Sequence, residues 1–229
     1  MVSVIWHPSP NFGPRRGDAR PSMIVIHYTA MASAAEALAR LCDPLAEVSA
    51  HYLIAESGAV FALVAEEMRA WHAGAGEWAG ITDVNSHSIG IELANPGDRP
   101  FAHRQMLALE GLLREVMARW SIRPERVIGH SDMAPGRKGD PGRQFDWRRL
   151  ALQGCSIWPD PAPPSPVDYV AFRTCALRFG YPAVENDVLL AAVRWRFRPW
   201  AKGPLELKDI EVVRALAVKY TQVYLQPKA

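Results

Sequence analysis

The chain has 229 residues, 49% hydrophobic and 22% charged, with Lys+Arg 26 against Asp+Glu 24. That length allows one large or two modest domains with a sizeable core, and the near-balanced charge argues against nucleic acid as the partner. Cys42, Cys155 and Cys175 are too few and too scattered for a disulfide framework, and no apolar run approaches the ~20 residues that span a bilayer.

Taken from the start, residues 1–16 show no basic segment followed by an apolar one, so no secretory signal is read there. A cytoplasmic setting is expected, with a periplasmic or cell-envelope location as the alternative if an export signal has been removed. Residues 6–21 hold four prolines and read as an extended leader over the core. Ser22 to Thr29 is nearly continuous in branched residues, as a strand buried on both faces should be. Ser33-Ala34-Ala35-Glu36 is a capping box, and the helix it starts ends at Asp43-Pro44. Ser49–Ala55 and Ala59–Val64 read as a hairpin, and Glu66–Ala70 as a helical turn. Trp71 to Gly76 is a loop, Asn85–Leu93 a core strand, and Asn95-Pro96-Gly97-Asp98 a turn.

His103–Trp120 is the clearest helix. Met106, Leu109, Leu113, Val116, Met117 and Trp120 recur at spacings of three and four and make one apolar stripe. Val127-Ile128 leads into Gly129-His130 as a further buried strand, followed by a Pro/Gly-rich loop. Strands interleaved with helices predict an α/β fold, a mixed central sheet covered by helices. Residues 159–166 form a stiff proline-rich linker, so we expect a catalytic domain over 1–158 and a small three-helix bundle over 167–229. The bundle stripes are Tyr169/Phe172/Ala176/Phe179, Leu189/Ala192/Val193/Phe197 and Leu207/Ile210/Val213/Ala217/Tyr220.

Two apolar runs end in histidine, His27 and His130. Strands lying side by side would present both at one sheet end. Neutral imidazole and carboxylate are good zinc ligands, and three protein ligands leave the fourth position for water. The loop after His130 offers two carboxylates, Asp132 and Asp140; Asp132, two residues on, is equally suited to brace the loop. Glu92 is acidic in an otherwise apolar strand, where burial without a partner is costly, and is the candidate general base. Lys138, two residues before Asp140, is a candidate oxyanion partner. His72 and Trp71 are candidate substrate contacts, as is Asn95. His51 reads as a hydrogen-bonded core histidine, and Trp78 as either a stacking platform or a core residue.

IVIHYTA (24–30), SAHYLI (49–54), AWHAG (70–74), SIGIELANPG (88–97) and GHSDMAPGRKGDPG (129–142), in that order, resemble the zinc N-acetylmuramoyl-L-alanine amidases of the AmpD and AmiD type. Peptidoglycan recognition proteins share that fold. The resemblance covers roughly residues 6–158. It implies zinc on His27, His130 and Asp140, with Glu92 and Lys138 as the catalytic pair. It also implies hydrolysis of the amide between N-acetylmuramic acid, the 1,6-anhydro form included, and the L-alanine of the stem peptide, in cell-wall recycling or turnover. Peptidoglycan fragments would be the partners, and a monomer is expected. The bundle resembles the peptidoglycan-binding helices of AmiD-type enzymes. The rival reading is a non-hydrolytic peptidoglycan-binding protein on the same fold; such relatives typically lose a metal ligand, and here all three are present.

Overall fold

The structure is a computed structural model describing residues 2–160, 163 and 166–221. The strands are β1 (Val4–Trp6), β2 (Phe12–Pro14), β3 (Met23–Tyr28), β4 (Tyr52–Ile54), β5 (Val60–Ala62), β6 (Met68–Ala70), β7 (Ser88–Leu93) and β8 (Val127–Gly129). The helices are α1 (Ala34–Cys42), α2 (Val84–His87), α3 (His103–Trp120), α4 (His130–Met133), α5 (Trp147–Leu152), α6 (Tyr169–Phe179), α7 (Asn186–Phe197) and α8 (Leu207–Lys219). Among the described residues no helix is long and apolar enough to cross a membrane.

Six strands form one mixed sheet in the order β1-β5-β4-β7-β3-β8. The apolar runs at β3 and β7 are neighbouring interior strands, where parallel strands are covered on both faces. Alternation along β3 divides the core. Ile24 and Ile26 pack with Ile89, Ile91 and the α3 stripe of Met106, Leu109, Leu113 and Val116. Met23 and Val25 point the other way and pack with Ile128, Met133 and Trp78. Burying each of these large side chains contributes about 1.5–3 kcal/mol, so Leu113→Ala in the α3 stripe should cost about 2–5 kcal/mol.

The second cluster also takes in Phe172, Phe179, Leu189, Val193, Phe197, Ile210 and Val213. The three C-terminal helices therefore cover one face of the sheet and share its core. Trp78, fully buried, is part of this junction, edge-on to Phe179 and Tyr181 at centroid distances of 5.4 and 5.2 Å. Gly180 lies against its indole, and a Cβ at that position would come within 2.9 Å of the ring. Residues 161, 162, 164 and 165 of the expected linker, and 222–229 of the expected bundle, lie outside the described residues.

Several local expectations hold. Ser33 accepts from the Glu36 N–H at 3.2 Å at the start of α1, and β4 pairs antiparallel with β5. Others give way to partners that are distant in sequence. Residues 68–70 are a strand, not a helical turn, because β2 from the leader pairs antiparallel with them. The leader contributes a second strand, β1, which runs parallel to β5 at the sheet edge. Its Arg15 reaches inward, and its guanidinium donates to the carbonyls of Glu66, Ser86 and Ser88. Residues 84–87 form a helical turn before β7.

Candidate metal centre and active site

His27 stands at the C-terminal end of β3, on the Met23/Val25 face. In the parallel β3–β7 register it lies opposite Glu92, so both side chains leave the sheet on the same face. β8 pairs with β3 through Ile26 and Gly129, which brings His130 alongside. The loop then returns so that the Asp140 carbonyl accepts from the Ser131 N–H at 2.8 Å.

This folding gathers three donor atoms. His27 Nδ1 lies 2.9 Å from His130 Nδ1 and 2.9 Å from Asp140 Oδ2, and His130 Nδ1 lies 3.0 Å from Asp140 Oδ2. All three side chains are buried. His130 Nε2 donates to the Ala73 carbonyl at 2.9 Å, so a neutral His130 presents a lone pair at Nδ1. A lone pair and a carboxylate oxygen held this close need a proton or a cation among them. Two imidazole nitrogens and one carboxylate oxygen, all within 4.8 Å of one another, suit a borderline-soft ion with bonds of about 2.0–2.2 Å.

The local fields favour the ligand forms. Burial pushes His27 down to about 4, helped by the like charge that His130 would carry, so its imidazole is neutral at ordinary pH. Burial alone would raise Asp140, but the His130 and His27 imidazoles against it, with the positive charge each would carry if protonated, outweigh that and hold the carboxyl well below the usual range. Glu92 goes the other way. Burial, with the Asp140 charge adding to it and Lys138 partly offsetting it, pushes Glu92 up to about 8. Its Oε2 is buried without a hydrogen-bond partner, which marks a carboxyl waiting for a ligand, a water or a cation.

The three donors, Glu92, Lys138, Trp71 and His72 line one cavity of about 460 Å³, a volume in the range of small-molecule sites. Lys138 is exposed at its rim. The other expected residues have different surroundings. Both His72 ring nitrogens are within hydrogen-bond reach of protein atoms, His27 Nε2 and Ser88 Oγ. Asn95 is buried and spends its amide on its own turn, accepting from the Gly97 N–H at 2.7 Å and donating towards the Arg99 carbonyl at 3.3 Å; it does not line the cavity. His51 is a core residue whose Nδ1 accepts from the Gly90 N–H at 2.9 Å.

Asp132 is fully buried and points away from the donors. It accepts from the Gly129 N–H, the Tyr181 hydroxyl and Arg196 Nη1, each at 2.8 Å. Arg196, on α7, also donates to the Val127 carbonyl at 2.9 Å and stacks 4.5 Å from the Trp147 ring centroid. A C-terminal helix thus clamps the loop that carries two of the donors. The sequence signal for Arg196 was available: it continues the Leu189/Val193 stripe at helical spacing, and an arginine on an apolar stripe needs a buried partner.

The profile of the N-acetylmuramoyl-L-alanine amidase family matches residues 17–143. The chain is 36% identical to N-acetylmuramoyl-L-alanine amidase AmiD of Escherichia coli, over 89% of this chain and 84% of AmiD. It is 35% identical to 1,6-anhydro-N-acetylmuramyl-L-alanine amidase AmpD of Haemophilus influenzae, over 62% of this chain and 86% of AmpD. A solved complex of E. coli AmiD with the substrate anhydro-N-acetylmuramic acid-L-Ala-D-gamma-Glu-L-Lys superposes with a TM-score of 0.79 at 33% identity, covering 92% of this chain and 98% of that one. With the sheet order and donor triangle in place, these matches settle the kinship: the chain belongs to the N-acetylmuramoyl-L-alanine amidase family.

Proposed function

We propose that this chain hydrolyses the amide between N-acetylmuramic acid and the L-alanine of the peptidoglycan stem peptide, with zinc held by His27, His130 and Asp140. The observation that carries the reading is the donor triangle, with Glu92 placed across the β3–β7 register beside it. The names of the AmiD and AmpD relatives and the muropeptide seated in AmiD support this choice of bond and make the 1,6-anhydro sugar an expected part of the substrate. Peptidoglycan fragments are the expected partners.

When bound, zinc supplies Lewis acidity that polarises a carbonyl and lowers the pKa of water to about 7. The chain's own groups do the rest. Glu92 takes the proton of the attacking water and returns it to the nitrogen of the departing L-alanine. A carboxyl pushed up to about 8 holds that proton well, and a dication nearby favours the ionised form needed at the start. Lys138 at the rim places an ammonium where the scissile carbonyl develops negative charge.

Among the described residues the site has none of the paired, opposed carboxylates of a glycosidase: Asp140 is engaged by two histidines, which leaves Glu92 as the one other carboxyl lining the cavity and available for proton transfer. Zinc analysis of the purified full chain tests the metal assignment. About one zinc per chain is expected, with hydrolysis lost on chelation and restored by zinc. Full activity in the chelated, metal-free protein would overturn it.

A further inference from the structure

Behind the donor triangle lies a chain of hydrogen bonds that the hydrolytic steps do not use. It begins at Ser88, whose hydroxyl sits 2.6 Å from the Val84 carbonyl and commits its one proton there. Towards His72 Nε2, 3.1 Å away, Ser88 Oγ can then only accept. A neutral His72 therefore carries its proton on Nε2 and presents a lone pair at Nδ1. That lone pair lies 3.0 Å from His27 Nε2, so His27 donates to it. His27 Nδ1 is left as a lone pair facing His130 and Asp140.

The neighbouring residue does the same for the other histidine, since the Ala73 carbonyl accepts from His130 Nε2 at 2.9 Å. The loop itself is pinned. Asn85 Oδ1 accepts from the backbone N–H groups of His72 and Ala73 at 3.1 and 2.9 Å. The glycine at position 90 makes room for the ring, because a Cβ there would collide with it. His72 and Ala73 thus each have a reason for their place that substrate contact does not supply.

We propose that His72 is a positioning residue: together with the Ala73 carbonyl it fixes His27 and His130 as Nε2–H tautomers, so that both Nδ1 lone pairs converge on the metal. The inference rests on the metal reading above. Outer partners of this kind orient a ligand ring and raise its basicity, and their loss typically costs 10–100-fold in metal affinity.

The test compares His72→Asn with His72→Leu in the full chain, with zinc affinity read by chelator competition. Asn can place an amide oxygen where Nδ1 accepts; Leu fills the volume with no acceptor. Leu should weaken zinc binding about 10–100-fold, and Asn should restore most of the lost affinity. Unchanged affinity in His72→Leu overturns the proposal, and so does an equal loss in both variants, which would mean that the ring acts by shape alone. Imidazole 15N spectra of the metal-free wild type read the tautomer directly. A proton on His72 Nε2 is expected, and a proton on Nδ1 overturns the relay. This reading needs no bound zinc, so failure of the relay and failure of the metal assignment give different results.

Discussion

Arg196→Met removes one partner of a buried ion pair and keeps most of the aliphatic volume. Arg196 and Asp132 side chains are each 1% exposed, so the surviving carboxylate has no water to turn to. Breaking such a pair from one side costs about 3–5 kcal/mol, and the lost bond to the Val127 carbonyl adds about 1 kcal/mol. Asp132 keeps its bonds from the Gly129 N–H and the Tyr181 hydroxyl, which places the expected loss near the lower end, about 3 kcal/mol. Urea denaturation of the full chain measures it. Adding Asp132→Asn removes the stranded charge while an amide can still serve Gly129 and Tyr181, so the double variant should regain stability over the single one. A loss under about 1 kcal/mol in Arg196→Met, or a double variant no more stable than the single, would refute the clamp. The same reasoning applies to a chain ending near Asp160. It would bare Met23, Val25, Ile128, Met133 and Trp78 and lose the clamp, so its His130–Asp140 loop should be looser than in the full chain.

Glu92→Gln and Lys138→Ala should keep zinc and fold yet lose turnover by about 10²–10⁴-fold, the range for a general base or an oxyanion partner; steady-state rates beside zinc content check both. His27→Ala or Asp140→Ala should sharply reduce bound zinc, and full occupancy in either would remove that residue from the ligand set. In the metal-free protein Glu92 sits at about 8 in the fold against 4.5 unfolded. Its contribution to stability is therefore full below pH 4.5 and is lost as pH rises through 8. Relative to Glu92→Gln, the metal-free wild type should lose about 3–5 kcal/mol across that window, read by urea titrations at several pH values. His27 works in the opposite sense. Held at about 4 against 6.5 unfolded, it contributes stability above pH 6.5 that disappears as pH falls through 4.

The mixed sheet, the α3 stripe and the three C-terminal helices were legible because each rests on local periodicity. The two histidines were legible because a buried strand that ends in a polar side chain stands out against its own composition. What the residues could not supply was pairing across distance. The leader reads as extended, but nothing local says that Phe12–Pro14 will turn residues 68–70 into a strand. The proline-rich stretch reads as a boundary between domains, yet Gly180, Arg196 and Trp78 show the helices beyond it fitted to the sheet. His72 and Asn95 read as substrate contacts, yet Asn95 holds its own turn and His72 meets His27 and Ser88; sequence alone does not tell a side chain facing substrate from one facing another side chain.

The central claim is the bond cleaved, and defined muropeptides test it most directly. Incubating the zinc-loaded full chain with an anhydro-N-acetylmuramyl peptide, and with intact sacculi, and identifying the products by mass and sequence reads bond and substrate pool together. The account predicts a peptide with a new free L-alanine amine and an intact sugar, released faster from the soluble fragment than from the wall. Cleavage between sugars, or between later stem residues with the first amide untouched, would contradict it.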